Sequence, residues 1–239
     1  MNRLVDVVVF DLDDTLYLER DYVRSGFRAV DAWLASRGIL GFFGEAWANF
    51  ENGLRGKAFD RALEALGVTV DSAYIAQLVN VYRSHDPTLT LLDDATWALD
   101  RLRAAGHRLA LLTDGYLEMQ QRKVQALSLA PRMDAVVYSD ALGRAHWKPS
   151  PAAYEAVLNA LGCAGERCVY VGDNPCKDFV SPRALGWTTV RVIRDGGEHS
   201  ATADDPLSPP QHTVRSLREL AGIFTSAAPR FDFNPGSVT

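Results

Sequence analysis

The chain predicts a doubly wound α/β fold, a parallel sheet covered by helices on both faces, with an all-helical segment inserted after its first strand. Three observations carry this expectation. A valine-rich apolar run over residues 6–10 ends abruptly at the acids of DLDD, as a strand buried on both faces does. Between residues 22 and 92 the apolar side chains fall at helical spacing. Beyond that point helical segments alternate with short apolar runs, the signature of βα units in a parallel sheet.

Taken in order, the first strand is followed by four stretches of helical period: YVRSGFRAVDAWLASRG, EAWANFENGLRG, KAFDRALEALG and SAYIAQLVNVYRSH. Trp33, Trp47 and Trp97 sit at helical spacing and read as core residues rather than stacking platforms for a sugar. A helix over residues 95–105 then leads to the strand HRLALLTDG, and a helix over 118–127 to MDAVVYSD. A helix over 152–161 precedes RCVYVGD. A short helix, the strand WTTVRVI and a last helix over 216–224 close the pattern. The segment DGGEHSATADDPLSPPQ, residues 195–211, is polar and proline-rich and reads as a surface loop. The expected division is a core of residues 1–18 and 92–224, a helical insertion over 19–91, and a loose tail over 225–239.

Composition narrows the function classes. The 239 residues are 47% hydrophobic and 23% charged with a formal net charge of -5, an ordinary globular balance. It argues against general affinity for nucleic acid or anionic membranes, which requires a basic surface. An anionic substrate would therefore be held by a local site. Cys163, Cys168 and Cys176 fit neither a disulfide framework nor a zinc spacing. The opening MNRLVDVVVF holds only a short apolar run before the acids, unlike a signal-peptide core. No segment approaches the roughly 18 uninterrupted apolar residues of a membrane span. A cytoplasmic protein is the expectation, and nothing in the sequence fixes its oligomeric state.

In open α/β sheets ligands bind beyond the carboxyl ends of the strands, and four polar clusters fall there in this sequence. Asp11, Asp13 and Asp14 follow the first strand, Thr113 and Asp114 the second, Lys148 comes after the third, and Asp173 and Asp178 follow the fourth. Any one cluster alone reads as turn formers and helix caps. Four in order suggest one crevice. Carboxylates gathered in a crevice repel one another, and a divalent cation with oxygen ligands relieves that repulsion. Magnesium suits such donors better than zinc. His85, His107, His146, His199 and His212 are scattered along the chain and read as surface or structural residues.

DLDDT at residues 11–15, LLTDG at 111–115, WKPSP at 147–151 and VGDNPCKD at 171–178 resemble, in order, the four motifs of the haloacid-dehalogenase-like (HAD) hydrolases. The resemblance spans the core and implies a Rossmann-like domain with a helical C1 cap. It further implies a magnesium-dependent phosphatase acting on a small phosphorylated metabolite, a sugar phosphate or a nucleotide. In that pattern Asp11 is the nucleophile and Asp13 the acid and base, a role requiring a raised pKa. Thr113 and Lys148 are implied to hold the phosphoryl group. The implied magnesium set is Asp11, Asp173 and Asp13, the last through its backbone carbonyl. Asp178 is assigned either to the metal through water or to orienting Lys148, and Asp14 to hydrogen bonding within its loop.

Asp114 departs from the pattern, because relatives more often carry asparagine there. It is placed with the substrate-binding residues, and a carboxylate facing phosphate would be repulsive unless turned away. Gln120 and Lys123 also match the family and read as fold support. Cys176 reads as a small packing residue. In the insertion, Arg55 and Lys57 flank Gly56 in a turn between helices; a cationic turn of this kind either reaches over a phosphate or is merely solvated. The resemblance leaves open a phosphomutase using the same Asp11 and Asp13, and a phosphate-sensing protein without turnover. Dehalogenation is disfavoured, since the dehalogenase branch lacks the second motif-one aspartate.

Overall fold

A computed structural model of the chain describes residues 5–225. Its first strand, β1 (Val7–Phe10), is wholly buried and lies at the centre of a six-stranded sheet. The partners are β2 (Arg108–Thr113), β3 (Ala135–Tyr138), β4 (Cys168–Gly172), β5 (Thr188–Val192) and β6 (His212–Val214), in the order β3-β2-β1-β4-β5-β6. All five pairings are parallel. Val7 stands opposite both Arg108 and Cys168, so the chain leaves β1 toward one side first and later returns to the other. This topological switch opens the crevice in which α/β proteins place their ligands.

Why β1 has no polar face follows from the strand period of two. Val8 and Phe10 point into one apolar cluster with Leu12, Leu16, Leu99 and Leu111; Val7 and Val9 point into another with Tyr154, Tyr170 and Trp187. Helices α5 (Asp93–Ala104) and α6 (Leu117–Ala126) cover the first face, and α7 (Pro151–Leu161) covers the second. The caps of α7 are legible in the sequence. Pro151 begins it, where a missing N–H costs nothing, and Gly162 ends it at φ 59°.

The inserted helices α1 (Glu19–Ala35), α2 (Phe42–Glu51), α3 (Ala58–Ala65) and α4 (Ser72–Ser84) gather around their own cluster of Phe27, Val30, Leu34, Phe42 and Leu78. Trp33 and Trp47 pack against that cluster, and Trp97 against the core. Gly26 lets α1 approach α4 closely, since a Cβ there would run into the Tyr82 ring. The Asp71 carboxylate caps α4 by accepting from the Tyr74 N–H at 2.8 Å.

Two features lie outside the sequence reading. Strand β6 ends the 195–211 loop, and only its Val214 is buried, so no alternating pattern betrays it. The last helix is broken into a 3₁₀ turn, Leu217–Glu219, and α9 (Leu220–Thr225); the turn is capped by the Ser216 capping box and held to α5 by Asp94, which accepts from the Ser216 hydroxyl and the Leu217 N–H. The short helix after β4 is α8 (Val180–Ala184). The expected tail lies, past Thr225, outside the described residues. Among those described, no helix is long and apolar enough to cross a membrane.

Candidate active site

Five loops at the carboxyl ends of β1 to β5 converge on one cavity of 160 Å³ lined by Asp11, Asp13, Asp114, Trp147, Asp173 and Lys177, among others. Lys148 is buried behind the lining residue Asp11. The Lys148 Nζ, wholly buried, donates to Asp11 Oδ1 at 2.6 Å, to Asp178 Oδ1 at 2.9 Å and to the Tyr170 hydroxyl at 2.9 Å. Three oxygen partners offset the cost of burying an ammonium. Burial works against the charge, yet Asp11 and Asp178 hold the Lys148 pKa well above its ordinary value. Burial also pushes the Asp11 carboxyl up to about 6, with Lys148 pulling against it and Asp178 adding to the rise.

Carboxylate oxygens of Asp11, Asp173 and Asp178 all lie within 4.8 Å of one another and are buried. Asp173 shows the consequence, its pKa driven up to about 9 by burial and by the charges of Asp178, Asp11 and Asp14. Such a trio of hard oxygen donors fits magnesium, which prefers carboxylate and water oxygens. Gly172 makes the trio compact, because a Cβ there would collide with the Asp178 carboxylate. The Asn174 N–H fixes the second oxygen of Asp178 at 2.9 Å.

The trio contains Asp11 and Asp173 of the expected magnesium set, in which Asp13 takes part through its backbone carbonyl rather than its side chain. The Asp13 carboxylate is turned away from the trio: it accepts from Lys123 Nζ at 2.7 Å, from Gln120 Nε2 at 2.9 Å and from the Tyr17 hydroxyl. Asp178 completes the trio of carboxylates and also accepts from Lys148 Nζ. Asp13 also lacks the raised pKa expected of it. Burial favours a rise, but the charge of Lys123 and the hydrogen bonds from Lys123, Tyr17 and Gln120 hold it below the ordinary carboxylate value.

Gln120 and Lys123 thus do more than support the fold. Both are buried on α6, and Gln120 also donates to Thr113 Oγ1 at 2.5 Å, leaving the threonine hydroxyl hydrogen to point elsewhere. Asp114 lines the cavity, but its carboxylate is occupied by the Ser139 hydroxyl at 2.6 Å, the Lys148 N–H at 3.1 Å and Lys177 Nζ at 3.3 Å. It braces the loop that carries Lys148. Asp14, at φ 50°, accepts from the N–H groups of Glu19 and Glu198 at 2.9 and 2.8 Å, tying the first loop to the 195–211 segment. Cys176 is exposed, not packed as expected: its backbone N–H caps Asn174 Oδ1 at 3.0 Å, and the loop turns its side chain outward.

Three cavity residues escaped the sequence reading. Lys177 lies within the fourth motif, so its position was a signal of sorts. His199 reaches the cavity from the polar loop, accepting at Nε2 from Asn174 Nδ2 at 2.7 Å. Glu19, at the start of α1, lines this cavity and its neighbour, with a pKa raised to about 7 by burial and the charge of Asp13. Nothing local in the sequence marks either of these two. The neighbouring cavity, of 310 Å³, is lined by Asp14, Glu19, Arg20, Phe50, Arg55 and Glu198. Arg55 does border it, in an ion pair with Glu198 at 2.9 Å; Lys57 is exposed at the left-handed start of α3 and lines neither cavity.

The model of the haloacid dehalogenase-like hydrolases matches residues 5–186, and the chain belongs to that family. It is 30% identical over 229 residues to the glyceraldehyde 3-phosphate phosphatase of Methanocaldococcus jannaschii, covering 92% of this chain and 97% of that one. It is 31% identical over 195 residues to the phosphoserine phosphatase of Thermus thermophilus, covering 82% and 74%. An (S)-2-haloacid dehalogenase of a Pseudomonas species matches at 26% over 185 residues, covering 77% and 74%. Among solved structures, the HAD-hydrolase YfnB of Bacillus subtilis bound to magnesium shares the fold, with a TM-score of 0.66 at 20% identity over 92% of this chain and 99% of that one.

Proposed function

We propose that the chain is a magnesium-dependent phosphomonoesterase that works through an aspartyl-phosphate at Asp11 on a small phosphorylated metabolite. The observation that carries this reading is the position of Asp11, 2.6 Å from Lys148 and beside the oxygens of Asp173 and Asp178. Phosphatases among its relatives, one acting on a triose phosphate and one on phosphoserine, support it.

In this reading an oxygen of Asp11 attacks phosphorus and the ester P–O bond breaks. Asp13 supplies a proton to the departing alkoxide, and then takes one from the water that attacks phosphorus and releases inorganic phosphate. Lys148 offsets the charge gathered between nucleophile and phosphoryl oxygens, and Thr113 offers its free hydroxyl hydrogen to one of them. Magnesium, held by Asp11 and Asp173 with Asp178 behind them, would supply electrostatic stabilisation of the phosphoryl group. The inserted helices serve as a cap over the cavity.

The 2.7 Å contact of Lys123 with Asp13 has to loosen for Asp13 to carry a proton, and an approaching leaving group competes for that position. The test is phosphate release from sugar phosphates, nucleotides and small acid phosphates, with and without magnesium, beside Asp11→Asn. Magnesium-dependent release abolished by the substitution supports the reading; halide release from a 2-haloacid with no phosphate from any ester would replace it by the dehalogenase one.

A further inference from the structure

Beyond the catalytic cavity two arginines converge on one aromatic ring. Tyr116 directly follows Gly115, which lines the cavity, and stands edge-on to Trp147, another lining residue, at 6.2 Å between centroids. The guanidinium of Arg83, from the last turn of α4, lies 4.0 Å from the centre of the Tyr116 ring, and that of Arg144 lies 4.6 Å from it. Arg144 also stands 5.6 Å from the centre of the Trp147 ring. One cation comes from the inserted helices and the other from the loop that leads to Lys148. A hydrogen bond from Arg144, with the charges of Arg83 and Arg144, pulls the Tyr116 phenol below its ordinary pKa.

Neither of the two guanidinium groups that share this ring has a carboxylate partner within ion-pair distance among the described residues. On the other side of the site Arg55 is matched with Glu198 and Arg20 with Glu51. The acid closest in sequence to Arg144 is spent, since Asp140 accepts from Trp147 Nε1 and from the Leu117 N–H, both at 3.0 Å. Asp86, close to Arg83 in sequence, pairs with Arg122. Two like charges gathered on one ring repel unless an anion joins them, and an aromatic face offsets only part of that repulsion.

We infer that Arg83 and Arg144 hold a second anionic group of the substrate, a carboxylate or a further phosphate, so that preferred substrates are phosphomonoesters carrying another acid function. This rests on the phosphomonoesterase reading and names the substrate class of the same site. Guanidinium is suited to both anions through paired N–H donors. A purely structural role, in which Arg83 docks the insertion on the core, would affect all phosphate esters alike.

The test is calorimetric binding to the full chain carrying Asp11→Asn, with magnesium, where no turnover is needed. Glycerol 3-phosphate is compared with 3-phosphoglycerate, and glucose 6-phosphate with glucose 1,6-bisphosphate. The acid-bearing member of at least one pair binds about tenfold more tightly; adding Arg83→Gln or Arg144→Gln reduces that ratio by about tenfold, as expected for a lost charge-assisted contact. Which pair responds distinguishes carboxylate from phosphate. Raising the salt shrinks the ratio as well, because both arginines are exposed. Equal affinities within both pairs, or arginine variants that weaken both members equally, overturn the inference. The phosphomonoesterase reading fails separately, if the unmodified chain releases phosphate from none of the esters.

Discussion

The ammonium of Lys123 lies 2.7 Å from the carboxylate of Asp13, so the second acid of the DLDDT loop is held as an anion by a helix that begins more than a hundred residues later. The sign of its effect is fixed. A cation beside a carboxyl lowers its pKa, and this one does so against burial.

Replacing Lys123 by methionine removes that cation and leaves burial opposed only by the hydrogen bonds from Tyr17 and Gln120, so the Asp13 pKa rises. If Asp13 protonates the leaving group, activity is lost as pH climbs through that pKa. The alkaline limb of the kcat/KM profile accordingly moves to higher pH in Lys123→Met. A limb that stays in place, or moves down, would separate Asp13 from the acid role.

Gly172→Ala forces a methyl group against the Asp178 carboxylate, which otherwise bonds Lys148 and the Asn174 N–H. Overpacking of this kind costs about 1–3 kcal/mol. Denaturant unfolding measures that loss. Phosphate release should fall by a further factor of at least about 10, since Lys148 loses one of the groups that orient it.

In the proposed reading magnesium would relieve the mutual repulsion of Asp11, Asp173 and Asp178, at a site that exists only in the folded chain. At about 100 times its dissociation constant it adds about 2.7 kcal/mol of stability, a rise in Tm of about 5–10 °C for a protein of this length. Thermal scans with magnesium and with a chelator check this. In Asp173→Asn the shift should shrink to a small fraction.

Asp94 accepts from Arg194 at 2.6 Å, the Leu217 N–H at 2.8 Å and the Ser216 hydroxyl at 3.0 Å. Burial alone would raise its pKa, but these partners lower it. The folded-state value being depressed, Asp94 contributes its full stability above the ordinary carboxylate pKa and loses it as pH falls through the folded one. Asp94→Asn should therefore cost about 1–2 kcal/mol at pH 7, a modest figure because the group is partly solvated. The difference from the unmodified chain should narrow below about pH 4. Urea unfolding at pH 7 and pH 3 gives both numbers.

Much of the architecture was legible because it rests on local pattern. The valine run of β1, the helical spacing of the insertion and the proline and glycine that bound α7 each declare themselves within a few residues. β6 did not, for its three residues include one buried side chain and are ordered by pairing with β5 rather than by any period of their own.

Residue types, read in order along the chain, determined that Asp11, Thr113, Lys148 and Asp173 would fall at or beyond the carboxyl ends of β1, β2, β3 and β4. Direction was decided only by the tertiary structure. That Asp13 faces Lys123 and Gln120, that Asp178 joins the acid trio, that Asp114 turns onto Ser139, and that His199 and Glu19 enter the cavity all depend on pairs far apart in the chain. A sequence specifies which charges exist and near which strand end they fall. Where each carboxylate points follows from the balance of burial against partners, and that balance exists only once distant elements are packed together.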